Sequence, residues 1–81
     1  MKEVGDYLRK TREAKELSLK DIQEITKIRL LYLEAIERGD LEVIPGEVYR
    51  RGFIVNYANA VGLDEKLVME KYSQINATSK S

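Results

Sequence analysis

Two short apolar runs stand almost against each other in this chain, and their spacing constrains the fold more than any other feature. Leu19, Ile22 and Ile25 recur every third residue, and Leu33 and Ile36 take the interval up again after a break at Thr26-Lys27-Ile28 that is too short for a loop. Intervals of three and four put side chains on one face of an α-helix, whereas a half-buried strand would alternate. Two helices joined by a tight turn are therefore predicted, over 19–26 and 29–38. Ser18 followed by Asp21 has the layout of a capping box, in which the hydroxyl accepts a backbone N–H and the acid reaches back to the cap, so the first of these helices starts at Leu19. Gly39 is placed to take the left-handed conformation that stops the second. A helix of two turns does not persist in isolation, so the pair must be packed on something else.

The remainder supplies it. Val4, Leu8 and the aliphatic stem of Arg12 recur at spacing four and predict a helix over residues 3–15. Residues 40–44 keep no period and lead to Pro45, the chain's one proline, which suits the first turn of a helix because its missing N–H would be unpaired there. A fourth helix is thus expected to begin near Pro45-Gly46 and to carry Val48, Tyr49, Phe53, Tyr57, Ala60 and Val61 until Gly62 stops it. Asp64 is a good N-cap, and Leu67, Val68, Tyr72 and Ile75 trace a fifth helix. From Asn76 the residues are small and polar, with little to bury. The chain of 81 residues is the size of one domain with one core. The expectation is an all-α, five-helix domain over residues 1–75 and the start of a polar linker over 76–81.

Several chemistries are disfavoured at once. The chain has no cysteine, tryptophan or histidine, so disulfides, thiolate metal sites and the commonest general base and transition-metal ligand are missing. Asp64-Glu65 and Glu34/Glu37 are the carboxylate pairs, and they read as a helix cap and a solvated helix face. The expectation is no enzyme, no metal and no cofactor. Fourteen basic residues balance fourteen acidic ones, which lacks the basic excess of a typical phosphate-binding domain. No apolar run approaches the roughly 20 residues that cross a bilayer, and Met1-Lys2-Glu3 does not open a signal peptide. A soluble, cytoplasmic domain is expected.

Two short helices about a tight turn, followed by Glu37-Arg38-Gly39, have the layout of a repressor-like, Cro-type helix-turn-helix. The likeness narrows with Leu19-Lys20-Asp21-Ile22, Thr26-Lys27-Ile28-Arg29, Tyr32-Leu33-Glu34-Ala35-Ile36-Glu37, Ile44-Pro45-Gly46 with Val48-Tyr49, Arg51-Gly52-Phe53, Tyr57-Ala58 and Gly62-Leu63-Asp64. Together these resemble the N-terminal domain of the RodZ family, bacterial cell-shape proteins, over nearly the whole chain. The resemblance implies a cytoplasmic adaptor domain that binds the bacterial actin MreB. In the full-length protein a linker and one membrane-spanning helix would follow, tying filaments to the inner membrane and the wall-elongation machinery; membrane contact is expected only through that C-terminal segment, which is absent from this chain. Leu30-Leu31 departs from the proline and polar or basic residues often found there, and Glu47 from a common second proline.

Two surfaces are candidates for function. Leu30, Leu31 and Glu34 occupy the start of the third helix, where a DNA-reading relative presents polar groups to base edges. Two leucines and a carboxylate offer bases little, so DNA is an unlikely partner, and a DNA-binding transcriptional regulator is the alternative reading, carried by the motif alone. Leu30 and Leu31 read as ordinary exposed or half-buried residues, against a second protein contact or self-association. The fourth helix gathers Tyr49, Arg50, Arg51, Phe53 and Tyr57, the aromatic and arginine types that protein interfaces favour. Burial in the core is the competing account of its aromatics. The resemblance implies that Phe53 and Tyr57, one turn apart, form the aromatic pair that meets MreB. Tyr49 extends the set, and spacing places Arg50 and Asn56 as a polar rim.

Overall fold

A computed structural model describes the backbone of residues 2–80 and the side chains of residues 3–73. Within these the chain forms α1 (Lys2–Ala14), α2 (Leu19–Thr26), α3 (Leu30–Arg38), a 3-10 turn (Leu41–Val43), α4 (Glu47–Ala60) and α5 (Glu65–Lys80), with no strand among the described residues. Ser18 and Asp21 close the capping box from both sides, at 3.1 and 2.9 Å. Asp64 accepts the Lys66 N–H at 2.9 Å at the start of α5. The expected boundary between packed domain and linker at 75/76, and Ile75 itself, lie outside the described side chains.

One core joins the helices. Val4 and Leu8 of α1, Ile22 of α2, Leu33 and Ile36 of α3, Ile54, Tyr57 and Val61 around α4, and Val68 and Tyr72 of α5 are all buried. The helix-turn-helix pair α2–α3 rests on α1 and α4, while α5 closes against α4 and α1. The α1–α3 crossing is close because Gly5 has no side chain: a Cβ there would lie 2.2 Å from the Ile36 carbonyl oxygen and 2.7 Å from that of Glu37.

Two expectations change, at Ile25 and at Pro45. Ile25 is 57% exposed, since it sits on the opposite flank of Ile22 from Leu19, and Leu19 is the one that packs on the core. Pro45 lies outside α4, not in its first turn. Gly46, with φ +93°, stands between them in a conformation no helix contains, and the helix starts at Glu47. Ile44 is extended, as the residue before a proline tends to be. Val48 is 80% exposed, so the inward stripe of α4 is Ile54, Tyr57, Ala58 and Val61.

Candidate docking face on the fourth helix

The corner between the 3-10 turn and α4 carries an apolar depression of about 170 Å³ lined by Tyr32, Ile44, Pro45, Tyr49 and Phe53. Three segments build it. Tyr32 comes from α3, Ile44 and Pro45 from the extended link, and Tyr49 and Phe53 from successive turns of α4. The Tyr32 and Phe53 rings lie 5.5 Å apart, tilted at 36°, and those of Tyr49 and Phe53 6.3 Å apart at 46°. These are favourable offsets for aromatic pairs and hold Phe53 half-buried. Ile44 forms a buried floor, while Tyr49 is 63% exposed. Tyr49 forms the outer wall, and the neighbouring Val48 on α4 is exposed as well. Arg50 pins the link to the helix, its Nε donating to the Ile44 carbonyl at 2.9 Å, and Asn56 is exposed.

One turn further along α4, at Tyr57, a polar cluster draws on three helices. Arg12 of α1 donates to both carboxylate oxygens of Glu37 of α3, Nε to Oε2 at 2.8 Å and Nη2 to Oε1 at 3.2 Å. It also donates through Nε to the Tyr57 hydroxyl at 3.2 Å and through Nη1 to the Leu17 carbonyl at 2.8 Å. The Tyr57 hydroxyl in turn donates to Glu37. The Arg12 and Glu37 side chains keep only 12% and 10% of their exposure. Hydrogen bonding to Glu37 raises the pKa of Arg12 despite burial. Burial, and then the bond to Glu37, pushes that of Tyr57 well up and keeps the phenol neutral.

On the helix-turn-helix, Lys27 takes φ +64° to end α2, and the Thr26 hydroxyl accepts the Ile28 N–H at 3.1 Å. Arg29 offers no capping oxygen to α3. The Gln23 side chain supplies one from α2, accepting the Leu30 N–H at 2.8 Å. Leu31 is 55% exposed, Glu34 is exposed and Leu30 is half-buried.

A helix-turn-helix domain family matches residues 7–68. The chain belongs to that family. It is 41% identical over 71 residues to the cytoskeleton protein RodZ of Streptococcus pneumoniae, covering 88% of this chain and 26% of that protein. It is 47% identical over 58 residues to the uncharacterized membrane protein YmfM of Bacillus subtilis, covering 72% of this chain and 20% of that one. The chain thus spans about a fifth to a quarter of the length of the curated relatives it matches. No solved structure matches it. The all-α helix-turn-helix fold and the likeness to RodZ agree with the sequence reading, and the matching family is not an enzyme family.

The structure brings Tyr49 and Phe53 together at the depression, with Arg50 beside them, but takes Tyr57 away. Its ring is fully buried, so the expected Phe53–Tyr57 surface pair becomes one half-buried ring at the surface and one in the core. The physical reason is that Tyr57 can satisfy its hydroxyl internally, against Glu37 and Arg12. Glu37 is likewise not on a solvated face, although Glu34 is. Tyr32 and Ile44 complete the depression; in the sequence both read as ordinary helix or loop residues, and only their packing against α4 gives them this role.

Proposed function

We propose that this domain is a cytoskeletal adaptor that docks on MreB through the apolar depression on α4. Tyr49 and Phe53 are its anchors, Ile44 its floor and Tyr32 its far wall, and Arg50 and Asn56 its polar rim. What carries the reading is a concave aromatic surface in a domain 41% identical to a protein named for the cytoskeleton. Exposed aromatics around a half-buried ring are what interface centres are made of, since a partner side chain seated among them excludes water. The full-length protein is read as membrane-anchored with this domain on the cytoplasmic side, in keeping with the relative named as a membrane protein. Among the described residues no helix is long and apolar enough to cross a membrane.

Co-sedimentation with MreB filaments tests the docking face. Phe53→Ala and Tyr49→Ala should each weaken binding by roughly thirtyfold or more, the equivalent of about 2 kcal/mol, and Tyr49→Ala should leave the thermal melt unchanged. Full binding by a folded Tyr49→Ala, Phe53→Ala double variant would remove the site. The helix-turn-helix match supports DNA binding as a second reading, against which stand Leu31 and Glu34 on the outer surface of α3. A mobility-shift titration at several salt concentrations separates the two, because phosphate-driven binding must weaken steeply as salt rises.

A further inference from the structure

The apolar residues of α4 do not by themselves say which way the helix should turn. Val48 and Tyr49 are exposed and Phe53 half-buried, while Ile54, Tyr57, Ala58 and Val61 are buried; Phe53 and Tyr57 stand only about 40° apart around the helix, so either ring is a candidate for burial. Hydrophobic contact is non-directional, and a modest rotation of the helix would exchange one ring for another at little cost. A hydrogen bond is directional and weakens steeply when bent. Tyr57 makes such a bond to Glu37 of α3 and receives another from Arg12 of α1. Glu37 is itself held at both oxygens by Arg12, so the acceptor that Tyr57 meets is fixed in place.

This tie lies next to the docking face. Tyr57 follows Phe53 by one turn of α4, and Glu37 stands on the same helix as Tyr32, whose ring packs on Phe53. The depression and the polar bridge thus both draw on α3 and α4, the bridge one turn further along α4. We infer that Arg12, Glu37 and Tyr57 are positioning residues that set the rotation of α4 against α3 and so hold the Tyr32–Phe53 ring pair and the depression open to a partner. A buried ion pair with its hydrogen bonds often adds little net stability, and its best-attested use is to select one arrangement among several that hydrocarbon packing would accept. The role in partner binding rests on reading this face as the MreB docking surface; the role in ring geometry does not.

The test uses Tyr57→Phe, which keeps the ring and the Arg12–Glu37 pair, and Glu37→Gln, which keeps the shape but loses the charge. Circular dichroism reports whether each is folded. Proton NMR then follows the cross-peak between the Tyr32 and Phe53 rings and the ring shifts of Tyr49 and Phe53, and co-sedimentation measures MreB binding. The expected result is a folded Tyr57→Phe with the Tyr32–Phe53 cross-peak weakened, the Tyr49 and Phe53 shifts moved and MreB binding reduced several-fold, with Glu37→Gln showing the larger change. A folded Tyr57→Phe with native ring cross-peaks and shifts overturns the inference. Should Glu37→Gln unfold, Tyr57→Phe decides by the same signals. If the rings move but the unaltered domain does not bind MreB, the docking assignment fails and the positioning role stands.

Discussion

The seam between α1 and α3 and the outer face of α4 are both assembled from apolar side chains at helical spacing, yet one is shut and the other open. At the seam, Val4, Leu8, Leu33 and Ile36 are buried and Gly5 lets the two backbones touch. On α4, Val48 and Tyr49 remain largely in water and Phe53 is half covered. Composition does not separate the two regions. What separates them is whether a second helix lies across the stripe, and for α4 the helix that does so, together with the core, uses the other side. Apolar periodicity thus identifies surface that wants covering without saying whether the same molecule covers it.

If this contrast holds, variants at the seam should cost stability and variants on α4 should cost binding. The largest effect is expected for Ile36→Ala, which removes a buried side chain and leaves a cavity worth about 2–5 kcal/mol. Urea denaturation measures it, and a loss below about 1 kcal/mol would show that the seam is looser than its burial implies. Gly5→Ala comes next. Its methyl group would strike two backbone carbonyls, which cannot swing away as a side chain can, and overpacking of this kind costs about 1–3 kcal/mol. An unchanged melting temperature would mean that α1 and α3 do not approach as described.

Between the two regions stands Tyr57, whose loss of a hydroxyl in Tyr57→Phe should cost about 1 kcal/mol. The sign of its pH dependence follows from its raised pKa. The folded state holds the phenolic proton more tightly than the unfolded state, so the contribution is complete below the ordinary tyrosine value of about 10 and is lost as pH rises beyond it. Denaturation measured from neutral to alkaline pH should therefore show the unaltered chain losing stability above about pH 10 more steeply than Tyr57→Phe; parallel curves would argue that the hydroxyl is not buried against Glu37. The smallest effects belong to the surface. Leu31→Lys and Tyr49→Ala should each stay within about 0.5 kcal/mol of the parent. They are expected to differ in co-sedimentation, where Leu31→Lys binds MreB normally and Tyr49→Ala does not. Equal behaviour of the two would erase the distinction between a lone exposed leucine and an aromatic depression.

Much of the frame could be read before any coordinates. Ser18 and Asp21 announced the start of α2, Gly39 the end of α3 and Asp64 the start of α5, because caps are decided by neighbours within one turn. The site was legible only in part. Helix spacing and residue type mark Tyr49, Arg50 and Phe53, but the family resemblance puts Tyr57 with them although it belongs inside, and nothing in the sequence marks Tyr32 or Ile44. Their meeting depends on how α3, the link and α4 come together in space, Tyr32 standing 21 residues before the Phe53 ring it packs on. Gln23 carries no such local signal either, since it caps a helix other than its own.

The sequence by itself determined the number and approximate bounds of the helices, the tight turn of the helix-turn-helix and most of the residues that face the core, because each of these follows from periodicity and local backbone chemistry. Only the tertiary structure decided which apolar residues of α4 turn inward, and that Arg12, Glu37 and Tyr57 from three different helices share one set of hydrogen bonds. Those outcomes depend on the direction in which a side chain meets a partner far away in the chain. A pattern of apolar and polar residues records how much of a helix should be buried, but not against what.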